Sequence, residues 1–181
     1  MIQVSIFYII SAMRKIILNC AVSLDGFIEG PTGEFDWCFT DQDYGMTDFM
    51  NRIEAIFFGR KSYELVLQMD KRPYPDKVKY VFSTTIKNVE GNAKIIREPV
   101  VETVKSIIAG KGKDIWLFGG SILVTRLLNA GFVDEMQLSV HPILLGKGKP
   151  LFGEIKKRIH FKLIDTKTYS TGLVQLIYQL D

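Results

Sequence analysis

Apolar residues in this chain fall into two patterns, short continuous runs and sets at helical spacing, and the two alternate. The runs are Lys15 to Val22, AIFFG at Ala55 to Gly59 and IWLFG at Ile115 to Gly119. A strand with one wet face alternates, so a run without polar breaks predicts a strand buried on both faces of a sheet. Between the runs, Asp43 to Arg52 places Met46, Phe49 and Met50 on one helical face, with Ile53 continuing it. Lys61 to Gln68, Val100 to Ala109 and Ser121 to Asn129 predict three further helices, the last stopped by Gly131. PYPDK marks a turn, and Lys79 to Ser83 and Lys94 to Arg97 read as short strands. The last third changes character. Glu135 to Val140, Ile159 to Tyr169 and Leu173 to Leu180 predict strands, the last two closed into a hairpin by Ser170, Thr171 and Gly172. Strands alternating with helices and then a hairpin predict an α/β fold of three layers, α/β/α. Its mixed sheet is parallel in the centre and antiparallel at the C-terminal edge.

One segment fits neither pattern. Asp25 to Asp41 carries Gly26, Gly30, Pro31 and Gly33 with Phe27, Phe35 and Trp37 among them. A loop this long with aromatic anchors predicts a lid over a ligand rather than a wandering surface segment. At the other extreme, residues 1–12 are apolar but too short to span a bilayer and without the basic start of a signal peptide. We expect them to be a tail ahead of a single domain over 13–181, with Met13 as the natural start.

Composition narrows the function classes. The 181 residues suit one domain with a full core, and the net charge of +3 comes from 23 basic and 20 acidic residues spread along the chain, which gives no footprint for nucleic acid. Cys20 and Cys38 are too few for a disulfide framework and predict a reducing, cytoplasmic setting; no membrane partner is expected. His141 and His160, without a CxxC pair, offer no metal-ligand set.

Three strand-to-loop transitions carry small or charged residues just beyond a strand's carboxyl end, where open α/β sheets bind ligands. They are AVSLDGFIEG, FFGRKSYE and LFGGSIL. In the second, Gly59 permits close backbone approach, Arg60 and Lys61 bring charge, and Ser62 opens a helix whose amides face outward. The tetrapeptide serves equally as a phosphate site or as a stabilised helix start. Gly119 and Gly120 leave the amides ahead of Ser121 unobstructed, which suits a diphosphate or a tight strand-to-helix turn. The chain has no GxGxxG after its first strand, no GxxxxGK(S/T) and no GxSxG. What is left is a scaffold for a cofactor that brings its own chemistry.

In order and spacing, SLDGFI, FFGRKSYE, LFGGS and the run VDEMQLSVHPILLGKGKPLF resemble the dihydrofolate reductase superfamily, in particular the RibD C-terminal reductase domain of riboflavin biosynthesis and its stand-alone bacterial relatives. The resemblance spans Met13 to the C-terminus. It implies NADPH as hydride donor to a small heterocyclic substrate, with Gly59, Arg60, Lys61 and Ser62 at the adenosine-phosphate loop and Gly119, Gly120 and Ser121 at the diphosphate turn. Ser83 and Thr84 match a further adenosine-side position, and Ala21 and Val22 the nicotinamide end. For the proton source it offers Asp25, typical of the riboflavin-type relatives, and Asp43, nearest the folate carboxylate position, with Asp41 a competitor; Ser139 matches a hydroxyl on the floor of the substrate pocket. Each carboxylate also reads as a turn or helix cap, and for Asp41 and Asp43 that reading is the favoured one. His141, adjoining Pro142, reads as structural. The resemblance further implies a homodimer through the C-terminal strands. A compact folate lid ending in Pro and Trp is missing, since GEFD precedes Trp37, so the alternatives are a dihydrofolate reductase or an NADPH-binding module without turnover.

Overall fold

The computed structural model describes residues 13–181; the expectation of a tail over 1–12 lies outside them. Ten strands and four helices follow one another as β1 (Ile16–Ser23), β2 (Phe27–Glu29), α1 (Met46–Arg52), β3 (Ile53–Gly59), α2 (Arg60–Met69), β4 (Val78–Phe82), β5 (Ala93–Ile96), α3 (Val100–Ala109), β6 (Asp114–Gly119), α4 (Ser121–Asn129), β7 (Glu135–His141), β8 (Lys149–Pro150), β9 (Phe161–Thr168) and β10 (Val174–Leu180) among the described residues. Eight of the strands make one sheet in the order β5-β4-β3-β6-β1-β7-β10-β9. From β5 to β7 every pairing is parallel, and β10 pairs antiparallel with both β7 and β9. The expected elements are present, with ends moved by one to three residues. The exceptions are β2 and β8, each too short to show a period, which pair with each other across the chain.

The uninterrupted apolar runs are buried on both sides, as their pattern requires. Ile16, Ile17 and Leu18 are all fully buried, yet successive side chains point to opposite faces. Ile16 and Leu18 join Phe57, Leu117, Val104 and Leu127 in one core, under α3 and α4. Ile17 joins Ile56, Phe58, Trp116, Phe49, Tyr63 and Val66 in a second core, under α1 and α2. Each such side chain contributes roughly 1.5–3 kcal/mol, so the centre of the sheet carries the fold. The edge strand β9 buries little; Leu163 and Ile164, on the edge where a dimer contact was expected, are about half exposed. No described helix is long and apolar enough to cross a membrane.

On the α1 side the sheet turns polar beyond β1. Asn19, Glu135, Gln137, His141 and Gln175 are all buried there. Arg52, from the end of α1, donates to both oxygens of Glu135 at 2.7 and 2.8 Å and to Asp114 at 2.8 Å. Gln137 Nε2 donates to Glu135 at 2.8 Å, and Asn19 Nδ2 to Gln137 Oε1 at 3.3 Å. The mean position of α1 is thus set by an ion pair that reaches through to the sheet.

Candidate functional site

The carboxyl ends of β3, β4, β5 and β6 open into one cleft of about 330 Å³. Gly59, Arg60, Lys61, Ser62, Ser83, Thr84, Gly120 and Ser121 all line it, so eight of the eleven expected cofactor residues are brought together from three separate segments. Gly119 sits buried behind Gly120 with φ 119°, a conformation that other residues rarely adopt. Glycine is needed at position 59 for another reason: a Cβ there would stand 3.2 Å from Gly120 N and 3.4 Å from Gly119 O. The two glycine turns therefore touch, and two helices start side by side. Neither α2 nor α4 has a side-chain cap; their N-caps are Gly59 and Gly120. The first amides of a helix have no partner within it, and its dipole is positive at that end. Two uncapped N-termini facing one cleft form a paired anion cradle.

The walls are charged and braced. Arg97 donates to the carbonyls of Ser83 and Thr84 at 3.1 Å and to that of Ile86 at 3.1 Å, fixing the loop after β4. Arg126 holds Glu98 by two bonds of 2.7 and 2.8 Å across the rim. Arg60 pairs with Glu64 at 2.9 Å, so its charge is partly neutralised. Lys149 was not foreseen. It lies on β8, pairs with Glu29 at 3.1 Å, and its Nζ would stand 3.6 Å from a Cβ on Gly120. The β2–β8 ribbon thus carries a cation to the Gly119–Gly120 turn. The only sequence signal was a lysine in a glycine-flanked turn, GKGKP.

Ala21 and Val22 do not line this cleft. Val22 is buried among the α3 and α4 core residues, so alternation puts the Ala21 methyl on the opposite, α1 face. Opposite Ala21 in the register is Ser139, half-buried, and opposite Ser139 is Gln175. Ser139 therefore shares the face of Ala21.

The candidate carboxylates are engaged by the protein itself. Asp25 accepts from Ser23 Oγ at 2.6 Å, Gly146 N at 2.7 Å and Leu145 N at 3.2 Å, stapling the end of β1 to residues 143–148. Led by the Ser23 hydroxyl, these donors hold its carboxyl below the usual range. Asp43 accepts from Thr47 Oγ1 at 2.8 Å and Thr47 N at 3.0 Å, which hold it low in the same way. It caps the approach to α1, which begins three residues later than the spacing predicts. Asp41 accepts from the Tyr44 hydroxyl at 2.7 Å. A carboxylate held ionised by N–H and O–H donors is a poor proton donor.

His141 fastens the aromatic loop. Phe39 N can only donate, so its 3.1 Å contact makes Nε2 the acceptor; the Ser139 carbonyl can only accept, so Nδ1 at 3.0 Å carries the proton. Both nitrogens of a neutral ring are occupied, and Trp37 and Phe39 pack on it at 5.2 and 5.0 Å. Burial pushes its pKa below the ordinary imidazole value, with the Ser139 bond opposing it. The unfolded chain then binds a proton that the folded protein refuses, so this contribution is complete above about pH 6.5 and is lost as pH falls through the lower folded value. Thermal midpoints measured from pH 8 to 5 are expected to drop more steeply in the natural protein than in His141→Gln; equal slopes would refute this.

The model of the RibD C-terminal domain matches residues 14–175. The chain belongs to the RibD C-terminal domain family. This is a reductase-type, oxidoreductase family. The chain is 48% identical to the protein YyaP of Bacillus subtilis (strain 168), over 91% of this chain and 94% of that one. Among solved structures it is similar to a putative riboflavin biosynthesis protein from Shewanella sp. PV-4, with 29% identity, TM-score 0.83, and coverage of 92% of this chain and 99% of that one. The dihydrofolate reductase from Enterococcus faecalis complexed with NADP(H) shares the fold at 16% identity and TM-score 0.69, over 92% of this chain and 96% of that one. The RibD C-terminal family and the dihydrofolate reductase-like fold are thus both shown.

Proposed function

We propose that this RibD C-terminal domain protein is an NADPH-dependent reductase that delivers hydride to a small heterocyclic substrate. The observation that carries the reading is the pair of uncapped helix N-termini meeting across the Gly59 and Gly120 contact, with Lys149 beside them. That cradle fits a diphosphate, and the cleft continues to Lys61, Ser83 and Thr84, where a 2′-phosphate finds a lysine with no carboxylate within ion-pair distance among the described residues. When bound, the cofactor supplies the hydride. The chain's own residues bind and orient: the helix amides and Lys149 neutralise the diphosphate, and Arg97 keeps the loop at Ser83 in place. The aromatic loop is fastened through Phe39 to His141, on the face that Ala21 and Ser139 share, where it would shield the reacting atoms from water. A dihydrofolate reductase is the less favoured reading, because Asp43 already accepts from Thr47.

NADPH titrated against the natural protein, followed by the quenching of Trp37 and Trp116, is expected to saturate, and more tightly than NADH. Lys149→Met is expected to weaken NADPH about tenfold, the loss of one charge-assisted contact. Absence of binding would overturn the proposal. Binding without oxidation across a broad panel of heterocycles would favour the module without turnover.

A further inference from the structure

The β2–β8 ribbon ties the aromatic loop to the cleft through a single ion pair. Its register sets Glu29 against Lys149, and Glu29 Oε1 meets Lys149 Nζ at 3.1 Å with both side chains 31% exposed. Lys149 lines the cleft, and Glu29 is its ion-pair partner among the described residues. A carboxylate beside an anion cradle weakens that cradle, because it repels the arriving anion and competes with it for the same ammonium. Its place there needs another reason.

Glu29 is the last residue before the first turn of the loop. Gly30 N donates to the Glu34 carbonyl at 2.8 Å and Gly33 N to the Gly30 carbonyl at 3.1 Å. The Glu34 carboxylate takes Thr32 N and Thr32 Oγ1 at 2.8 and 2.7 Å. Residues 30–34 are thus one braced unit, and a shift at Glu29 passes through it toward Trp37. On the other strand, a Cβ on Gly148 would collide with the Glu29 carbonyl, so Glu29 sits close against the segment that carries Lys149.

The far end of the loop is held separately, by Phe39 on His141. Between the two anchors Trp37 Nε1 is buried without a partner. Buried N–H groups are nearly always paired, so the seated loop carries a cost that opposes its anchors. A weaker hold at Glu29 tips that balance.

We propose that Glu29 is a positioning residue that reports an occupied diphosphate cradle to the aromatic loop. The bound anion draws Lys149 from Glu29, frees the near end of the loop and lets Trp37 Nε1 reach water, while the Phe39 anchor holds. The cofactor thereby opens the way for the second ligand, and binding is ordered with the cofactor first. The inference deepens the reductase reading and rests on its assignment of the cradle to a diphosphate. A ligand shifts such a balance only by its unequal affinity for the two states, here set by whether Lys149 is free. By reciprocity, Glu29 weakens the diphosphate by the factor with which the diphosphate weakens the hold of Glu29.

ADP carries the diphosphate and no nicotinamide, and Trp37 does not line the cleft, so ADP reaches Trp37 only through the protein. Whole protein labelled with 5-fluorotryptophan gives fluorine NMR signals from Trp37 and Trp116, assigned with Trp37→Phe. ADP is expected to move the Trp37 signal. Glu29→Gln keeps the shape and removes the charge. It should bind ADP about threefold more tightly at low salt, with the gain shrinking as ionic strength rises. Its Trp37 signal should stand, without ligand, where ADP places it in the natural protein. Lys149→Met should show the same ligand-free shift with ADP bound about tenfold more weakly, and it replaces Glu29→Gln if circular dichroism finds that variant unfolded. A Trp37 signal that ignores bound ADP, or follows it equally in Glu29→Gln, overturns the inference and leaves the cofactor reading standing. So does an ADP affinity unchanged or lowered in folded Glu29→Gln. Failure to bind ADP overturns the inference, and failure to bind NADPH as well overturns the reductase reading with it.

Discussion

Gly120→Ala is expected to raise the dissociation constant for NADPH about a hundredfold while the protein stays folded. The Gly120 φ of −82° and ψ of −168° lie outside the left-handed region that favours glycine. The added methyl would stand 3.4 Å from Ser62 Oγ and 3.6 Å from Lys149 Nζ, at ordinary contact distance from both. It therefore fills the cradle without displacing its walls. A diphosphate pushed off two charge-assisted hydrogen bonds loses about 1.5 kcal/mol or more for each, and 1.4 kcal/mol is a factor of ten in affinity. Gly59→Ala is the contrasting change, because its methyl meets backbone at 3.2 Å and must shift the turn itself. Fluorescence titration with circular dichroism on the same samples separates the two effects. A Gly120→Ala protein that binds NADPH within threefold of the natural one would show that the diphosphate lies elsewhere.

Arg52→Met is expected to destabilise the protein by about 3 kcal/mol. Glu135 is 4% exposed, and both its oxygens are held by Arg52. Burial pushes the Glu135 carboxyl up, and the Arg52 and Gln137 hydrogen bonds with the Arg52 charge more than offset it, so it rests below the usual glutamate value. Removing the guanidinium strands a buried carboxylate, a loss of about 3–5 kcal/mol in enclosed pairs, taken here at the low end because the Arg52 side chain is 35% exposed. For a domain of this size that lowers the melting temperature by about 6–12 °C. The sign with pH follows. In the variant the Glu135 pKa lies above its unfolded value, so the penalty stands while the group is ionised and fades as pH falls through that raised value. A deficit as large at pH 5 as at pH 8 would show that Arg52 acts by packing alone.

Much of the architecture was legible before any coordinates, and for a definite reason. Ile16 to Leu18, Ala55 to Phe58 and Ile115 to Leu117 lack polar breaks because both faces of their strands are covered, so the central parallel sheet is written in local pattern. The hairpin from β9 to β10 was equally local. The ribbon of β2 and β8 was not: three residues pair with two residues more than a hundred positions away, and neither piece has a period to read. Lys149 was missed as a cleft residue for that reason. The partners of the carboxylates were equally hidden, since Leu145 N and Gly146 N, which donate to Asp25, lie more than a hundred residues from it.

By itself, then, the sequence determined the layered fold, the three glycine-bearing turns and the family to which they belong, because each depends on neighbours within a few residues. Only the tertiary structure decided that the Gly59 and Gly120 turns touch, that two uncapped helices share one cleft, and that Lys149 reaches the Gly120 turn from β8. Those are contacts between segments distant in the chain, and no pattern within a few residues encodes them.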